Sequence, residues 1–376
     1  MSAPLSILHV AQPLTAGVPR VVDDLVADQI ARGWRVSIAC PGESTLVDAA
    51  RRHGAQRFNW AATRGPGPSL PDEARRLRRL IREARPDLVH LHSTKAGLAG
   101  RLALRGAVPT LFQPHAWSFL AAGMLSPAAA AWERLAARWA DAIICVSADE
   151  RRRGEQAGIG ARWAEVPNGV DIERYPAVGT YEREASRATL GLDDGPIALV
   201  VGRLCRQKGQ DRLIGAWGQI RRQVPAARLI LVGDGPERGA LQRQADRTVY
   251  FAGAQADVRP WLAAADVVVI PSRWEAGSLV VLEAMSSARN VVATDVDGMR
   301  EALMPGCGAT VSRKDARALV EAVSKRRADP AFAEREAIAG RRRVEERYSL
   351  EATTARMAEV YCKTLAARSP TSGHRT

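Results

Sequence analysis

Lysine is nearly absent from this 376-residue chain: five lysines stand beside 49 arginines, and the formal net charge is +13. A GC-rich coding sequence yields such a skew without any basic-patch partner, although a strongly positive field still attracts phosphates, anionic lipids or nucleic acid. The chain carries no DNA- or RNA-binding signature and no basic tail with interleaved aromatics, so nucleic acid is not expected as a partner. Five cysteines, Cys40, Cys145, Cys205, Cys307 and Cys362, are scattered and never form C-x-x-C. That excludes a disulfide framework or zinc knuckle and suits a reducing cytoplasm. No opening segment combines basic residues, an apolar stretch and a small-residue cleavage site; Met1–Val10 reads as a first strand, so no export signal is expected.

What is present is alternation. Short β-rich runs at Leu5–Val10, Val36–Cys40, Leu88–His92, Thr110–Gln113 and Ala142–Val146 are separated by amphipathic stretches. After a polar stretch the pattern resumes at Ile197–Val201, Arg228–Val232, Val249–Phe251, Val267–Ile270 and Val291–Thr294. Strands alternating with helices predict parallel sheets with crossover helices, the α/β class. The expected layout is an N-terminal Rossmann-like domain at 1–171, a linker at 172–195 and a second Rossmann-like domain at 196–350. A C-terminal helix at 351–366, able to return to the first domain, and a disordered tail at 367–376 complete it.

Two stretches of the first domain suggest surfaces. Ala116 to Trp132 holds no charged residue and includes Trp117, Phe119, Leu120, Met124 and Leu125. It is too short and too interrupted to span a membrane, and reads as a buried segment or as an apolar acceptor or membrane-docking surface. Asp72–Arg85 is amphipathic, with Arg75, Arg78, Arg79 and Arg82 on one face. A solvated face is the default; a patch for anionic headgroups is the alternative.

The chemistry gathers in the second domain. Ile197–Val201 runs into Gly202-Arg203-Leu204-Cys205-Arg206-Gln207-Lys208-Gly209, which places two cations beyond the carboxyl end of a strand, where α/β proteins bind ligands. Arg203 and Lys208 suit a diphosphate. Arg228–Val232 ends in Gly233-Asp234-Gly235-Pro236, a tight turn allowing close backbone approach, without the spacing of a dinucleotide fingerprint. Val267–Ile270 leads through Pro271 to Glu275 and into an apolar helix carrying Glu283. A helix N-terminus near Ser278 and Leu279 offers N–H groups to phosphate oxygens, while carboxylates suit sugar and ribose hydroxyls.

Together these pieces resemble the donor site of family-4 retaining glycosyltransferases with the GT-B fold, two Rossmann-like domains facing across a cleft. Pro167-Asn168-Gly169-Val170-Asp171 matches the family's junction signature. The resemblance spans Ile7 to about Leu365. It implies that Arg203 and Lys208 neutralise the departing diphosphate, that Glu283 binds the ribose, that Glu275 contacts the donor sugar, and that Gly202, Gly233, Gly235, Ser278 and Leu279 line the diphosphate. Asn168 joins the donor-binding set, and the strand ending Phe251 to Gly253 would lie against the nucleobase. In the first domain Ala16-Gly17 matches the glycine loop and His115 the histidine facing the transferred sugar. Arg20, Lys95, Arg101 and Trp117 fall on the acceptor side.

The pattern departs from the family at Ala276, where glycine is usual, at Ala16 and at Asp297. The resemblance implies transfer from an NDP-α-sugar to give an α-linked product, without a dedicated nucleophile. UDP-hexose or UDP-N-acetylhexosamine is the first expectation and GDP-mannose the next; the acceptor is a glycan, a lipid-linked intermediate or a small molecule. No Asp-x-Asp loop arguing for a divalent metal is recognised, and no cofactor beyond the nucleotide-sugar co-substrate is expected. His90 and His92 point to one side of a strand, and His115 could join them as a metal site; a satisfied strand-end cluster is the reading preferred. An epimerase or another sugar-nucleotide enzyme of the same fold is the alternative. The expected location is cytoplasmic, with peripheral contact to an anionic membrane left open.

Overall fold

The computed structural model describes residues 4–13, 17–42 and 44–368. Two compact units emerge: one takes the described residues up to Pro167 together with those from Thr353 onward, the other Asn168–Ala352. Among the described residues no helix is long and apolar enough to cross a membrane.

The first unit is built on a parallel seven-stranded sheet of β1 (Ser6–Ala11), β2 (Arg35–Cys40), β3 (Gln56–Asn59), β4 (Leu88–His92), β5 (Thr110–Gln113), β6 (Ala142–Cys145) and β7 (Trp163–Glu165). Their order is β3-β2-β1-β4-β5-β6-β7. Central strands β1 and β4 are buried at every position, as strands covered by helices on both faces must be. One face buries Leu8, Val10, Val89, Leu91 and Phe112; the other buries Ile7, Leu88, Leu111 and Ile144. The second face is covered by the C-terminal helix Leu350–Arg368 through Met357 and Tyr361. That helix runs two residues beyond its expected end, so Ala367 and Arg368 are helical; the rest of the expected tail, like Ala16, lies outside the described residues.

The second unit repeats the plan with six parallel strands, β8 (Ile197–Val201), β9 (Arg228–Val232), β10 (Val249–Gly253), β11 (Val267–Ile270), β12 (Asn290–Thr294) and β13 (Ala309–Val311), in the order β10-β9-β8-β11-β12-β13. In both sheets the chain reverses its direction of strand addition next to the first strand, at β1/β4 and at β8/β11. The carboxyl ends there are the places where doubly wound sheets receive ligands.

The expected linker at 172–195 is not one. It contains the helix Thr180–Leu190, whose Arg187 is buried and bonds Asp266 at 2.8 Å and the Ala264 carbonyl at 3.0 Å. The helix presents a polar face to solvent and is anchored by Arg187 and Arg183 on Asp266 and by Leu190 against the core, so apolar periodicity does not mark it.

Candidate active site

At the β8 end, Gly202 and Arg203 lead into a short 3-10 turn, Arg206–Lys208, closed by Gly209 at φ +67°. A Cβ on Gly209 would lie 2.1 Å from the Pro271 carbonyl oxygen, so glycine there lets the β8 loop pack on the β11 loop. The packing brings Lys208 Nζ to 2.5 Å from Glu275 Oε1, which also accepts a 2.7 Å hydrogen bond from the Ser272 hydroxyl. Glu275 is buried and Lys208 half-buried. Arg203 is half-buried as well, and among the described residues its guanidinium has neither ion pair nor hydrogen bond. Lys208, Ser272 and Ser278 line a depression over Val200, Val201, Ile270 and Pro271.

Ser278 caps the helix Leu279–Ser286 with extended backbone and makes no side-chain capping bond, so its first N–H groups lack that partner. Glu283 lies four residues after Leu279, hence on the same helix face, one turn from the helix start; it is 3% exposed and engaged. Asn168 donates from Nδ2 to the Gly277 carbonyl at 2.9 Å, so its amide holds the loop behind Glu275. The Ala276 carbonyl packs 2.3 Å from where a Cβ on Gly298 would sit. The loop with the unusual Ala276 is therefore clamped from two sides.

Gly233 and Gly235 differ from expectation. A Cβ on Gly233 would lie 2.1 Å from the Gly202 carbonyl oxygen, and one on Gly235 2.3 Å from that of Leu204. Their missing side chains admit the neighbouring β8 loop, which packs against the β9 turn at both glycines. Gly253 accepts a 2.7 Å hydrogen bond from Gly233 N–H, and Phe251 packs half-buried against the core. The triplet Asp295-Val296-Asp297 after β12 is an Asp-x-Asp on a loop, and its Asp295 is ion-paired with Arg300.

In the first unit, His115 and Ala116 follow β5 with positive φ of 53° and 96°, a strained backbone. Buried Glu150 holds it, accepting from Ala116 N–H and Val146 N–H, both at 2.8 Å. His115 Nε2 is 3.2 Å from His92 Nδ1, and His92 Nε2 is 2.9 Å from His9 Nδ1. His9, His90 and His92 bring one nitrogen each within 4.8 Å of the others, so His9, not His115, completes the cluster a metal could use. Desolvation lowers all four imidazoles, His9 to about 4 and His115 to about 3.

Three acceptor-side residues are structural instead. Lys95 is buried, 2.5 Å from Glu73 Oε2, and donates to the Gly65 carbonyl. Arg101 is buried with Glu133 at 2.7 Å and lies 3.9 Å over the Phe112 ring. Trp117 is 1% exposed and donates to the Glu150 carbonyl, so the segment 116–132 divides: Trp117 belongs to the core, while Met124 and Leu125 are 99% and 70% exposed. A charge or ring completes its contacts internally whenever the fold allows. Gly17 opens the helix Gly17–Ala31, with half-buried Arg20 one turn along and engaged.

Two doubly wound parallel sheets are the architecture of the GT-B glycosyltransferases, and the second carries at its switch point a lysine–glutamate pair, an arginine without a partner among the described residues and a helix N-terminus without a side-chain cap. The Glycosyltransferase Family 4 model matches residues 15–174, and the Glycosyl transferases group 1 model matches 195–329. The chain is 33% identical over 331 residues, 81% of its length and 85% of the relative's, to a GDP-mannose-dependent alpha-(1-6)-phosphatidylinositol monomannoside mannosyltransferase of Mycolicibacterium smegmatis. It is 31% identical to the alpha-maltose-1-phosphate synthase of the same organism, covering 91% of this chain and 94% of that one. Anabaena HepE, solved in complex with UDP-glucose, shares the fold with a TM-score of 0.84 at 22% identity, covering 96% of this chain and all of its own. The chain belongs to the family-4 glycosyltransferases.

Proposed function

We propose that this protein transfers a hexose from an NDP-α-hexose to a hydroxyl acceptor with retention of configuration, using organic cations rather than a metal to stabilise the leaving diphosphate. The observation that carries the reading is Arg203, without a side-chain partner among the described residues, beside the Lys208–Glu275 pair at the carboxyl ends of β8 and β11. An arriving diphosphate competes with Glu275 for Lys208 and takes the uncommitted charge of Arg203. N–H groups at Leu279 and beyond add their dipoles. Glu283 takes the ribose hydroxyls and Glu275 a sugar hydroxyl; His115 takes the family's sugar-contacting role. Family membership supports retention, with the leaving phosphate assisting deprotonation of the acceptor.

A UDP-linked hexose or N-acetylhexosamine is the first donor reading, supported by the HepE likeness, and GDP-mannose the second, supported by the mycobacterial relative. The acceptor reading is a lipid-linked or glycan hydroxyl. Thermal shift with UDP-glucose, UDP-N-acetylglucosamine and GDP-mannose identifies the donor, because a bound donor raises the melting temperature in step with its affinity. Arg203→Ala and Lys208→Ala should each lower transfer from that donor about 10²–10³-fold, with EDTA without effect. Full activity in both variants would refute the site.

A further inference from the structure

The four clustered histidines are not interchangeable rings in a pocket. Three sit in one register: His9 pairs with His90 across β1 and β4, and His92 pairs with Gln113 across β4 and β5. Partners across a parallel ladder point to one side, so these three side chains share the face that the C-terminal helix covers, and His115, just beyond β5, joins them through His92. The contacts then form a single chain. His9 Nε2 is 2.9 Å from Gln29 Oε1, Gln29 Nε2 donates to the Tyr361 hydroxyl at 3.2 Å, and that hydroxyl is 2.7 Å from His90 Nδ1.

Each imidazole in this chain is neutral at neutral pH, because desolvation opposes its charge. A neutral imidazole has one N–H and one bare nitrogen, and their places follow from the partners. Gln29 Oε1 only accepts, so His9 carries its hydrogen on Nε2 and its Nδ1 is bare. His92 must then donate from Nε2, which leaves His92 Nδ1 bare. His115 in turn donates from Nε2, and its own Nδ1 is left as an acceptor. At the far end the same logic agrees. Gln29 Nε2 donates to Tyr361, so the Tyr361 hydrogen goes to His90 Nδ1 and His90 keeps its hydrogen on Nε2. There Gln113 adjoins it and offers Oε1, a buried acceptor with no partner within ordinary hydrogen-bonding distance; His90 Nε2 is the matching unpartnered atom.

We propose that Gln29, His9 and His92 are positioning residues that hold His115 in the tautomer with hydrogen on Nε2, so that its Nδ1 accepts a hydrogen bond from a substrate sugar hydroxyl. This rests on the sugar-contacting role given to His115 above. A bare Nδ1 accepts from a hydroxyl and orients it. The opposite tautomer would present an N–H, make the hydroxyl oxygen the acceptor and turn its hydrogen elsewhere. The unfavourable φ of His115 is held by Glu150, so the ring has both its direction and its hydrogen set from behind.

Long-range ¹H–¹⁵N spectra of the full chain labelled with ¹⁵N-histidine read the tautomers directly. The expected wild-type result is His115 protonated on Nε2 with bare Nδ1. Gln29→Met and His92→Phe should each give mixed tautomers at His115. They should also lower kcat about 3- to 10-fold, the worth of one neutral hydrogen bond, with little change in the KM of the donor found by thermal shift. His92→Asn keeps an acceptor where His92 Nδ1 stood and should restore both tautomer and kcat. Nδ1 protonation in the wild type would overturn the proposal, and so would an unchanged His115 in both disrupting variants. Stoichiometric zinc bound by His9, His90 and His92 would overturn it too. The wild-type spectrum decides even where a variant fails to fold. If His115→Ala transfers sugar normally, the role given to His115 fails while the tautomer result stands.

Discussion

Arg203, Lys208, Lys95 and Arg101 look alike in the sequence, each a cation in a strand-end loop or on the helix that follows one. What separates them is the carboxylate each meets. Lys95 and Arg101 are sealed with Glu73 and Glu133, both buried, and Arg101 is fully excluded from solvent. Lys208 meets Glu275 on an open rim, and Arg203 meets no partner among the described residues. A cation in a closed pair serves stability, whereas one at a rim can exchange its partner for a ligand. Arg101→Met strands the Glu133 carboxylate and should cost about 3–5 kcal/mol, while Arg101→Met with Glu133→Met should recover most of that. Urea unfolding of the single and double variants measures it; equal losses in both would mean the pair contributes little.

At the scale of elements, the helix Leu70–Ala84 has the amphipathic pattern its sequence predicts: Glu73, Ala74, Leu77 and Ile81 are buried, and Arg75, Arg76, Arg78, Arg79 and Arg82 are exposed. Five exposed arginines on one helix make it the face on which attraction to an anionic membrane can be tested. Each basic residue near such a surface contributes roughly 1 kcal/mol. Replacing Arg75, Arg78, Arg79 and Arg82 by Gln should abolish sedimentation with phosphatidylglycerol vesicles at low salt and leave donor binding intact. Unchanged sedimentation would assign the charge to solvation. The segment 116–132 carries a different lesson. Its apolar composition mixes one core tryptophan, which bonds Glu150, with the exposed Met124 and Leu125.

Across the whole molecule, the buried histidines couple folding to pH. An unfolded histidine binds a proton below about 6.5, while His9 in the folded chain does so only near 4. Between those values the unfolded state holds the extra proton, so stability falls as pH falls. His9 alone accounts for about 3 kcal/mol across that window, and the lowered pKa values of His90, His92 and His115 act in the same direction. Urea unfolding at pH 7 and pH 4.5 should show a marked loss at the lower pH, smaller in His9→Gln. A loss of equal size in that variant would place the acid sensitivity elsewhere.

Ten strands, two repeated α/β series and the placement of cations and glutamates after strand ends were legible in order along the chain, because strands buried on both faces become apolar runs and loops after them keep their charges. The three strands left unread, β3, β7 and β13, are sheet edges of four, three and three residues, too short or too polar to show a pattern. Family membership and the Arg203–Lys208–Glu275 set were likewise determined by sequence. Only the tertiary structure decided which cations are spent in closed pairs, that Gly233 and Gly235 admit a neighbouring loop, and that His9, Gln29 and Tyr361 stand behind His115. Those outcomes depend on register and on residues up to 332 positions apart, as Gln29 and Tyr361 are, and no local pattern encodes that pairing.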